Sequence, residues 1–237
     1  MEKLLIICEK ATAAENFSKA LGGYDGVFEG DEFHIMHLSG HLFKLDLPKK
    51  VALSEYSEYI GDFNVVDSAP WKFNYFDFHK YSMADGVKQA KAINAVKEFN
   101  DYVKKGYIPV IATDLDSYCE GDLIGYMLLK FCQYQGKIYR EFHNNEGIES
   151  IRKAIKERFL VTYVYKNFLV GRARQMSDYL TQCMTRVATD KIRKQGYDVR
   201  APIPVGRLKS ADLHLVGDQW LSRLNYKPSS LFEYRYK

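Results

Sequence analysis

Cysteine is scarce in this sequence of 237 residues, and its four copies lie far apart along the chain. They form no CxxC pair, so we expect neither a zinc ribbon nor a disulfide framework. The opening MEKLLIICEK has too short an apolar run for a signal peptide, and no run elsewhere is long enough to span a bilayer. These absences predict a soluble protein of a reducing, cytoplasmic setting with no membrane partner.

The chain also lacks internal repeats, low-complexity tracts and the composition of a disordered protein, so one or two globular domains are expected. Its formal net charge is only +4, but the charge is unevenly distributed. Lys and Arg are frequent from Arg152 onward, whereas the acids form short clusters. A basic region beside an acidic site favours a polyanionic partner.

Strand-like apolar runs are followed three times by helix-like segments. KLLIIC (3–8) precedes a segment that ends at a glycine pair, YIPVIATD precedes EGDLIGYMLLKFCQY, and KIYREF precedes EGIESIRKAIKERF. This alternation predicts an α/β fold with a mostly parallel, doubly wound sheet flanked by helices. EFHIMHLSGHLFKLDLP reads as extended segments, and an irregular aromatic stretch around Trp71 follows, with Trp71 expected in the core.

The pattern changes near residue 160 to long helical periodicity. We therefore expect an α/β domain over residues 1–160 and a mainly helical domain over residues 161–237. The closing KPSSLFEYRYK has the character of a loop that enters a strand.

Four carboxylates crowd the stretch IATDLDSYCEGDLIGYMLL (111–129), and a fifth, Glu9, follows the first strand. The four are Asp114, Asp116, Glu120 and Asp122. Ligands of such folds bind at the carboxyl ends of parallel strands, so Glu9 and Asp114 should lie side by side. Crowded carboxylates need a proton or a cation, and oxygen ligands without nearby His or Cys favour Mg²⁺ and phosphodiester chemistry.

Simpler interpretations of these residues remain open. Asp116 and Glu120 could be ordinary loop and helix-cap acids, because short acidic motifs occur by chance. Lys10, beside Glu9, could stabilise a phosphate or be solvated surface. His34, His37 and His41 have a spacing that suggests metal binding, but His34 and His37 would point to opposite faces of a strand, so we do not expect zinc.

Five ordered motifs resemble those of the type IA DNA topoisomerases. LLIICEKATAAENFSKAL is similar to their opening strand that ends in Glu, with the EK pair of the topoisomerase III subgroup, and ATDLDSYCEGDLIGYML is similar to ATDxDxEGExI. These two define the family's TOPRIM fold. LSGHLFKLDLP resembles the GH(L/I) segment, YKNFLVGRARQ the DWLxG helix, and VGRLKSADLHLV the GRVQTPTL motif of an adjoining helical DNA-binding domain.

The resemblance implies roles for particular residues of this chain. Glu9 would be the acid/base carboxylate near the scissile phosphate and Lys10 its companion cation. Asp114, Asp116 and Glu120 would hold Mg²⁺, with Asp122 as a possible replacement for Glu120. The residues implied in contact with DNA are His41, Arg172, Arg174, Arg207 and Lys209.

The sequence departs from the family pattern in several places. SYC separates Asp116 from Glu120 where the family has one residue, so Glu120 could be displaced. Lys209 and Ala211 replace a Gln and a Pro, and Arg172 and Arg174 are out of register with the arginine expected after WLxG. None of the 18 tyrosines lies in a sequence like the family's nucleophile motif.

The resemblance therefore implies the N-terminal portion or one subunit of a type IA topoisomerase, acting on single-stranded DNA with Mg²⁺. A second polypeptide or a later gate domain would carry the catalytic tyrosine. We expect a cytoplasmic protein, associated with the nucleoid, or in the host cytoplasm if a phage encodes it. The alternatives are a TOPRIM nuclease that uses a metal-bound water, and a non-catalytic protein that binds DNA or a topoisomerase.

Overall fold

The computed structural model describes residues 1–45, 81–84, 86–200, 207–228 and 235. The aromatic segment with Trp71 and the strand expected in the last residues lie outside these ranges. Their predicted structures therefore remain predictions.

Six strands form the central sheet, in the spatial order β2-β3-β1-β6-β7-β8. Their bounds are Lys3–Cys8 for β1, Asp25–Phe28 for β2, Asp31–His37 for β3, Ile108–Ala112 for β6, Ile138–Arg140 for β7 and Phe159–Val161 for β8. The four inner strands run parallel, whereas β2 and β8 join the two edges antiparallel. The predicted mostly parallel sheet is confirmed, with one antiparallel strand at each edge.

A separate two-stranded antiparallel sheet pairs β4 (Phe43–Leu45) with β5 (Tyr81–Met83). Strands β3 and β4 account for the extended segments predicted between the first two strand–helix units.

Helices follow β1, β6 and β7, as the alternation of the sequence predicts. The described helices are α1 (Ala11–Leu21), α2 (Val87–Lys104), α3 (Glu120–Phe131), α4 (Ile148–Lys156), α5 (Lys166–Lys194) and α6 (Arg207–Leu224). Gly22 ends α1 in the left-handed region, with φ of 93°, and its N–H donates to the carbonyl oxygen of Ser18. Across the described ranges, every helix is too short or too polar to cross a membrane.

The core lies on both faces of the sheet because strand side chains alternate. Leu5 and Ile7 of β1 point toward α2 and α3, and pack there with Phe99 and Met127. Their neighbours Leu4 and Ile6 point toward α1 and α4, in a second cluster. Burial on both faces explains why β1 is an almost continuous apolar run.

His34 connects β3 to the elements beside it. Its ring lies 2.6 Å from a carboxylate oxygen of Asp25 and 2.9 Å from one of Glu98, and it stacks on Tyr102 with 3.7 Å between ring centroids. His34 is buried while His37 is exposed, as alternation along the strand predicts. Burial alone would lower the pKa of His34, but the hydrogen bonds with Glu98 and Asp25 outweigh it and the pKa is raised.

The described residues up to Met176 form one compact unit, and those from Ser177 onward belong to a second. The division falls within α5, later than the boundary expected near residue 160. In the second unit, Thr185 and Thr189 each donate a side-chain hydrogen bond to the carbonyl oxygen four residues earlier. The boundary near residue 160 remains a prediction.

The raised pKa of His34 predicts a pH-dependent stability. Protonated His34 is favoured in the folded state, so its contribution is complete below the unfolded pKa of about 6.5 and is lost as pH rises through the folded pKa. His34→Gln should lower the unfolding free energy by about 1–2 kcal/mol near pH 6 and by less near pH 8.5. Urea unfolding at both pH values measures this, with exposed His37→Gln as the control. An equal loss at the two pH values would contradict it.

Candidate functional site

The carboxyl ends of β1 and β6 bring two acids of the predicted site together. The register pairs Cys8 with Ala112, so Glu9 and Asp114 lie just beyond two adjacent strand ends. Glu9 is half-buried, and its pKa is raised first by this burial and then by the neighbouring charge of Asp114. The predicted proximity of Glu9 and Asp114 is therefore present in the structure.

Lys10 brings a positive charge to these acids. Its Nζ lies 2.9 Å from Oδ2 of Asp114, and this hydrogen bond is the main reason that the pKa of Lys10 is raised. About half of the side chain is exposed. Lys10 is therefore tied to the acidic site, although solvent still reaches it.

Asp116 caps the N-terminus of α3. Its carboxylate accepts hydrogen bonds from the backbone N–H groups of Tyr118, Glu120 and Gly121, at 2.7, 2.8 and 3.0 Å. The bonds from Glu120 and Gly121 satisfy donors that the first turn of a helix leaves unpaired, and the bond from Tyr118 fixes the preceding turn. The structure thus gives Asp116 the cap role that was one of the two interpretations of the sequence.

Glu120 begins α3 and is held by two basic side chains. One carboxylate oxygen lies 3.0 Å from Nε2 of His41, and the other lies 3.3 Å from Nη1 of Arg174. The loop that carries His41 is fixed to the end of β1, because Gly40 donates its N–H to the carbonyl oxygen of Glu9. Two of the residues predicted to contact DNA, His41 and Arg174, therefore join the acids.

Asp122 lies in the interior, in contrast to the expectation that it could replace Glu120 as a metal ligand. It is fully buried, with one oxygen 2.9 Å from Nε of Arg140 and the other 3.3 Å from Nδ2 of Asn167. A buried carboxylate needs such partners. Asp122 is therefore a structural acid and not a candidate ligand.

Arg140 was not among the residues singled out from the sequence. Besides Asp122, its buried guanidinium donates to the carbonyl oxygens of Ile111 and Thr113, each at 2.9 Å. Arg140 therefore fixes the end of β6, directly before Asp114. In the sequence, Arg140 is marked only as a lone arginine within the strand-like segment KIYREF.

Glu141 and His143 form a second buried pair. Glu141 is fully buried, and its carboxylate lies 3.0 Å from Nδ1 of His143 and 3.8 Å from Nη1 of Arg140. The hydrogen bond with Glu141 raises the pKa of His143, which favours protonation of the imidazole beside this acid. Burial, followed by the charge of Glu141, raises the pKa of the Cys8 thiol, which argues against a reactive cysteine there.

Two glycines allow close approach of the chain around the site. A Cβ on Gly121 would collide with the backbone carbonyl oxygen of Asp114. A Cβ on Gly171, in the α5 segment FLVG, would lie 2.5 Å from the carbonyl oxygen of Cys119. The absence of side chains lets α3 and α5 pack directly on the acidic loop.

The other predicted DNA contacts belong to helices α5 and α6. Arg172 forms a side-chain hydrogen bond with buried Tyr126. Arg207 is the first residue of α6, although its side chain lies outside the described atoms, and Lys209 is exposed on the same helix. Their contact with DNA remains a prediction.

The chemistry of the donors at this edge fits Mg²⁺. Within the described ranges, no three His, Cys, Asp or Glu side chains are grouped closely enough to enclose a metal ion. Mg²⁺ does not require such a cage, since it keeps several waters and is commonly held by one or two carboxylates with a substrate phosphate. Glu9, Asp114 and Glu120 supply carboxylate oxygens at one solvent-accessible edge.

Comparison with known proteins finds similarity to the Toprim domain and to two topoisomerases. A Toprim domain model matches residues 4–156. DNA topoisomerase 1 of Archaeoglobus fulgidus is 25% identical over 207 residues, which cover 86% of this chain and 27% of that protein. The structure of full-length topoisomerase I from Thermotoga maritima aligns with a TM-score of 0.58 and 18% identity, covering 95% of this chain and 31% of the other. The chain spans less than a third of the length of these relatives.

The packing at Gly121 predicts that alanine will be harmful there. Gly121→Ala should lower the unfolding free energy by about 1–3 kcal/mol, because the new methyl group meets a backbone oxygen that cannot rotate away. Gly217→Ala in α6 is the matched control, since a Cβ there meets nothing within 4 Å and should add up to about 1 kcal/mol of helix stability. Thermal unfolding by circular dichroism compares the two variants. A Gly121→Ala variant as stable as wild type would contradict the close packing.

Proposed function

The chain belongs to the Toprim domain family, and from that premise we propose that it carries the Mg²⁺-binding and proton-transferring part of a type IA DNA topoisomerase, which cleaves and rejoins single-stranded DNA. The observation that carries the proposal is the arrangement at the ends of β1 and β6. There Glu9, with its raised pKa, lies beside Asp114, which Lys10 contacts. The similarity to two topoisomerases supports the same function.

Proton transfer is the role proposed for Glu9. In cleavage, a tyrosine oxygen forms a bond to phosphorus while the bond from phosphorus to the 3′ oxygen of the preceding nucleotide breaks, and that oxygen takes up a proton. A carboxyl group with a raised pKa is protonated closer to neutral pH and can donate this proton. In religation the 3′ hydroxyl returns the proton to Glu9 and its oxygen forms a bond to phosphorus, while the bond from phosphorus to the tyrosine oxygen breaks and releases the tyrosine as phenolate.

Positive side chains at the same edge would hold the DNA backbone. The proposed phosphate contacts are Lys10, His41 and Arg174, each of which already pairs with an acid of the site. Such contacts position a strand without reading its sequence. This matches the requirement of an enzyme that acts on single strands of many sequences.

Asp114 and Glu120 are the side chains proposed to hold Mg²⁺, with Glu9 adjacent and Asp116 fixing the loop between them. Bound there, Mg²⁺ would supply positive charge that positions and stabilises the phosphate. Lys10, His41 and Arg174 offset the mutual repulsion of the acids through the contacts described above.

The catalytic tyrosine is proposed to come from another polypeptide or from a further domain. Helix α6 presents a large apolar surface consistent with such a partner. Its exposed apolar side chains are Leu213, Leu215, Val216, Trp220, Leu221 and Leu224. Arg207 and Lys209, at the start of the same helix, are the proposed DNA contacts of the second unit.

Loss of the Asp114 charge should weaken metal binding. Asp114→Asn should reduce the affinity for Mg²⁺ by about ten- to a hundredfold, because the amide lacks the negative charge that attracts the ion. Calorimetric titration with Mg²⁺ measures this, and Asp101→Asn on the exposed face of α2 is the matched control. Equal affinities for the two variants would exclude Asp114 as a ligand.

A trapping assay separates the three functions compatible with the sequence. Single-stranded DNA labelled at its 3′ end is incubated with the protein and Mg²⁺, then denatured. We expect DNA binding without a covalent adduct from this chain alone, because the nucleophile is proposed to lie elsewhere.

The other outcomes of the trapping assay are equally informative. An adduct would place the nucleophilic tyrosine within these residues. Nicking without an adduct would favour a nuclease. DNA binding that is unchanged in the absence of Mg²⁺ and in Asp114→Asn would favour a non-catalytic binding protein.

A further inference from the structure

We propose that Tyr118, backed by Arg174, is a stacking platform for an unpaired DNA base next to the acidic site. The inference rests on the proposed function and extends it, because it names the residue that would receive the base beside the scissile phosphate. The platform comprises the Tyr118 ring and the Arg174 guanidinium.

The position of Tyr118 is fixed by the loop that carries it. Its backbone N–H donates to Oδ1 of Asp116 at 2.7 Å, and the next residue, Cys119, adopts the left-handed region with φ of 57°. Cys119 also donates its N–H to the carbonyl oxygen of Asp116. Tyr118 therefore lies in a tight, hydrogen-bonded turn between two acids of the site, Asp116 and Glu120.

The side chain of Tyr118 is nevertheless open to solvent. The residue is 61% exposed, and Leu115, on the other side of Asp116 in the same loop, is 49% exposed. An exposed aromatic ring beside a charged site can bury apolar area against a ligand that covers it. A nucleobase has the flat apolar face that suits this position.

Arg174 contacts both the Tyr118 ring and an acid of the site. Its guanidinium carbon lies 5.1 Å from the centre of the Tyr118 ring, and its Nη1 lies 3.3 Å from Glu120. At this distance the cation lies against the ring, while the residue stays 61% exposed, which leaves room for a base. Because Arg174 touches both the ring and Glu120, a base on Tyr118 would adjoin the proposed phosphate site.

The chemistry of single strands favours this occupant. Unpaired bases stack on aromatic side chains with little regard to sequence, since every base has a π face. Tyr118 is one of the three residues, SYC, that separate Asp116 from Glu120. The corresponding motif of the type IA topoisomerases has one residue at this place. The longer spacing between Asp116 and Glu120 thus provides an aromatic ring at the rim of the acidic site.

The test compares binding of two oligonucleotides by fluorescence anisotropy. One is a labelled oligothymidylate, and the other has the same backbone with abasic sites throughout. Tyr118→Ala should weaken binding of oligothymidylate by about five- to a hundredfold and leave binding of the abasic strand within about twofold. Tyr118→Phe should retain wild-type affinity, because stacking needs the ring and not the hydroxyl group.

Tyr24→Ala is the matched control, since Tyr24 is also exposed, at 47%, but precedes the edge strand β2, which β3 separates from β1 in the sheet. It should bind both strands as wild type does. A direct measurement is photo-crosslinking with 5-iodouracil in place of thymine, followed by mass spectrometry. Wild-type protein should give a crosslink on the peptide that contains Tyr118.

Two results would overturn the platform while leaving the proposed function intact. In the first, Tyr118→Ala binds oligothymidylate as tightly as Tyr24→Ala does. In the second, both strands lose affinity equally, which would mean that the substitution disturbs backbone contacts. A wild-type protein that binds neither strand would instead refute the proposed function, and the platform with it.

Discussion

A single buried guanidinium, that of Arg140, holds together the segments from which the acidic site is built. It donates to Asp122 in the first turn of α3 and to the carbonyl oxygens of Ile111 and Thr113 at the end of β6. A buried charge is tolerated only when it is paired and its hydrogen bonds are satisfied, so these three acceptors define its position closely. The loop that they bracket carries Asp114, and its geometry depends on both ends being held.

The charges of the site are balanced at two depths. In the interior, Arg140 forms an ion pair with Asp122, and His143 is hydrogen-bonded with Glu141. At the surface, Lys10, His41 and Arg174 contact Asp114 and Glu120. The pKa of Glu9 is raised by its burial and then by the charge of Asp114. The different environments of these acids suit them to the different roles proposed above, since a carboxyl that binds a proton more tightly favours proton transfer.

Much of this arrangement could be predicted from the sequence because it follows from local patterns and from the rules of parallel sheets. Apolar runs followed by helix-forming segments predicted β1, β6 and β7 with their helices, and the proximity of Glu9 to Asp114 follows from strand ends that share one edge. The prediction of a topoisomerase-like Toprim region is confirmed. The antiparallel edge strand β8 was not predicted, because three residues carry too little periodicity to show strand direction.

The role of Asp122 could not be predicted, because its position in the first turn of a helix does not reveal which face the packing will bury. Arg140 was missed for a related reason: its partners lie 18 to 29 residues away and only the tertiary fold brings them together. Asp116 shows the reverse case. The same short acidic motif was compatible with Asp116 as a metal ligand and as a helix cap. Only its hydrogen bonds with the backbone of Tyr118, Glu120 and Gly121 reveal the cap.

The longer spacing between Asp116 and Glu120 is accommodated within the loop and leaves the helix in place. The left-handed conformation at Cys119 reverses the chain, and the cap from Asp116 fixes the start of α3 at Glu120. Gly121 then lets this first turn contact the backbone of Asp114. As a result Glu120 remains within reach of His41 and close enough to influence the pKa of Glu9. The additional residues therefore lie in the exposed loop that carries Tyr118, and the acids remain at the same edge of the sheet.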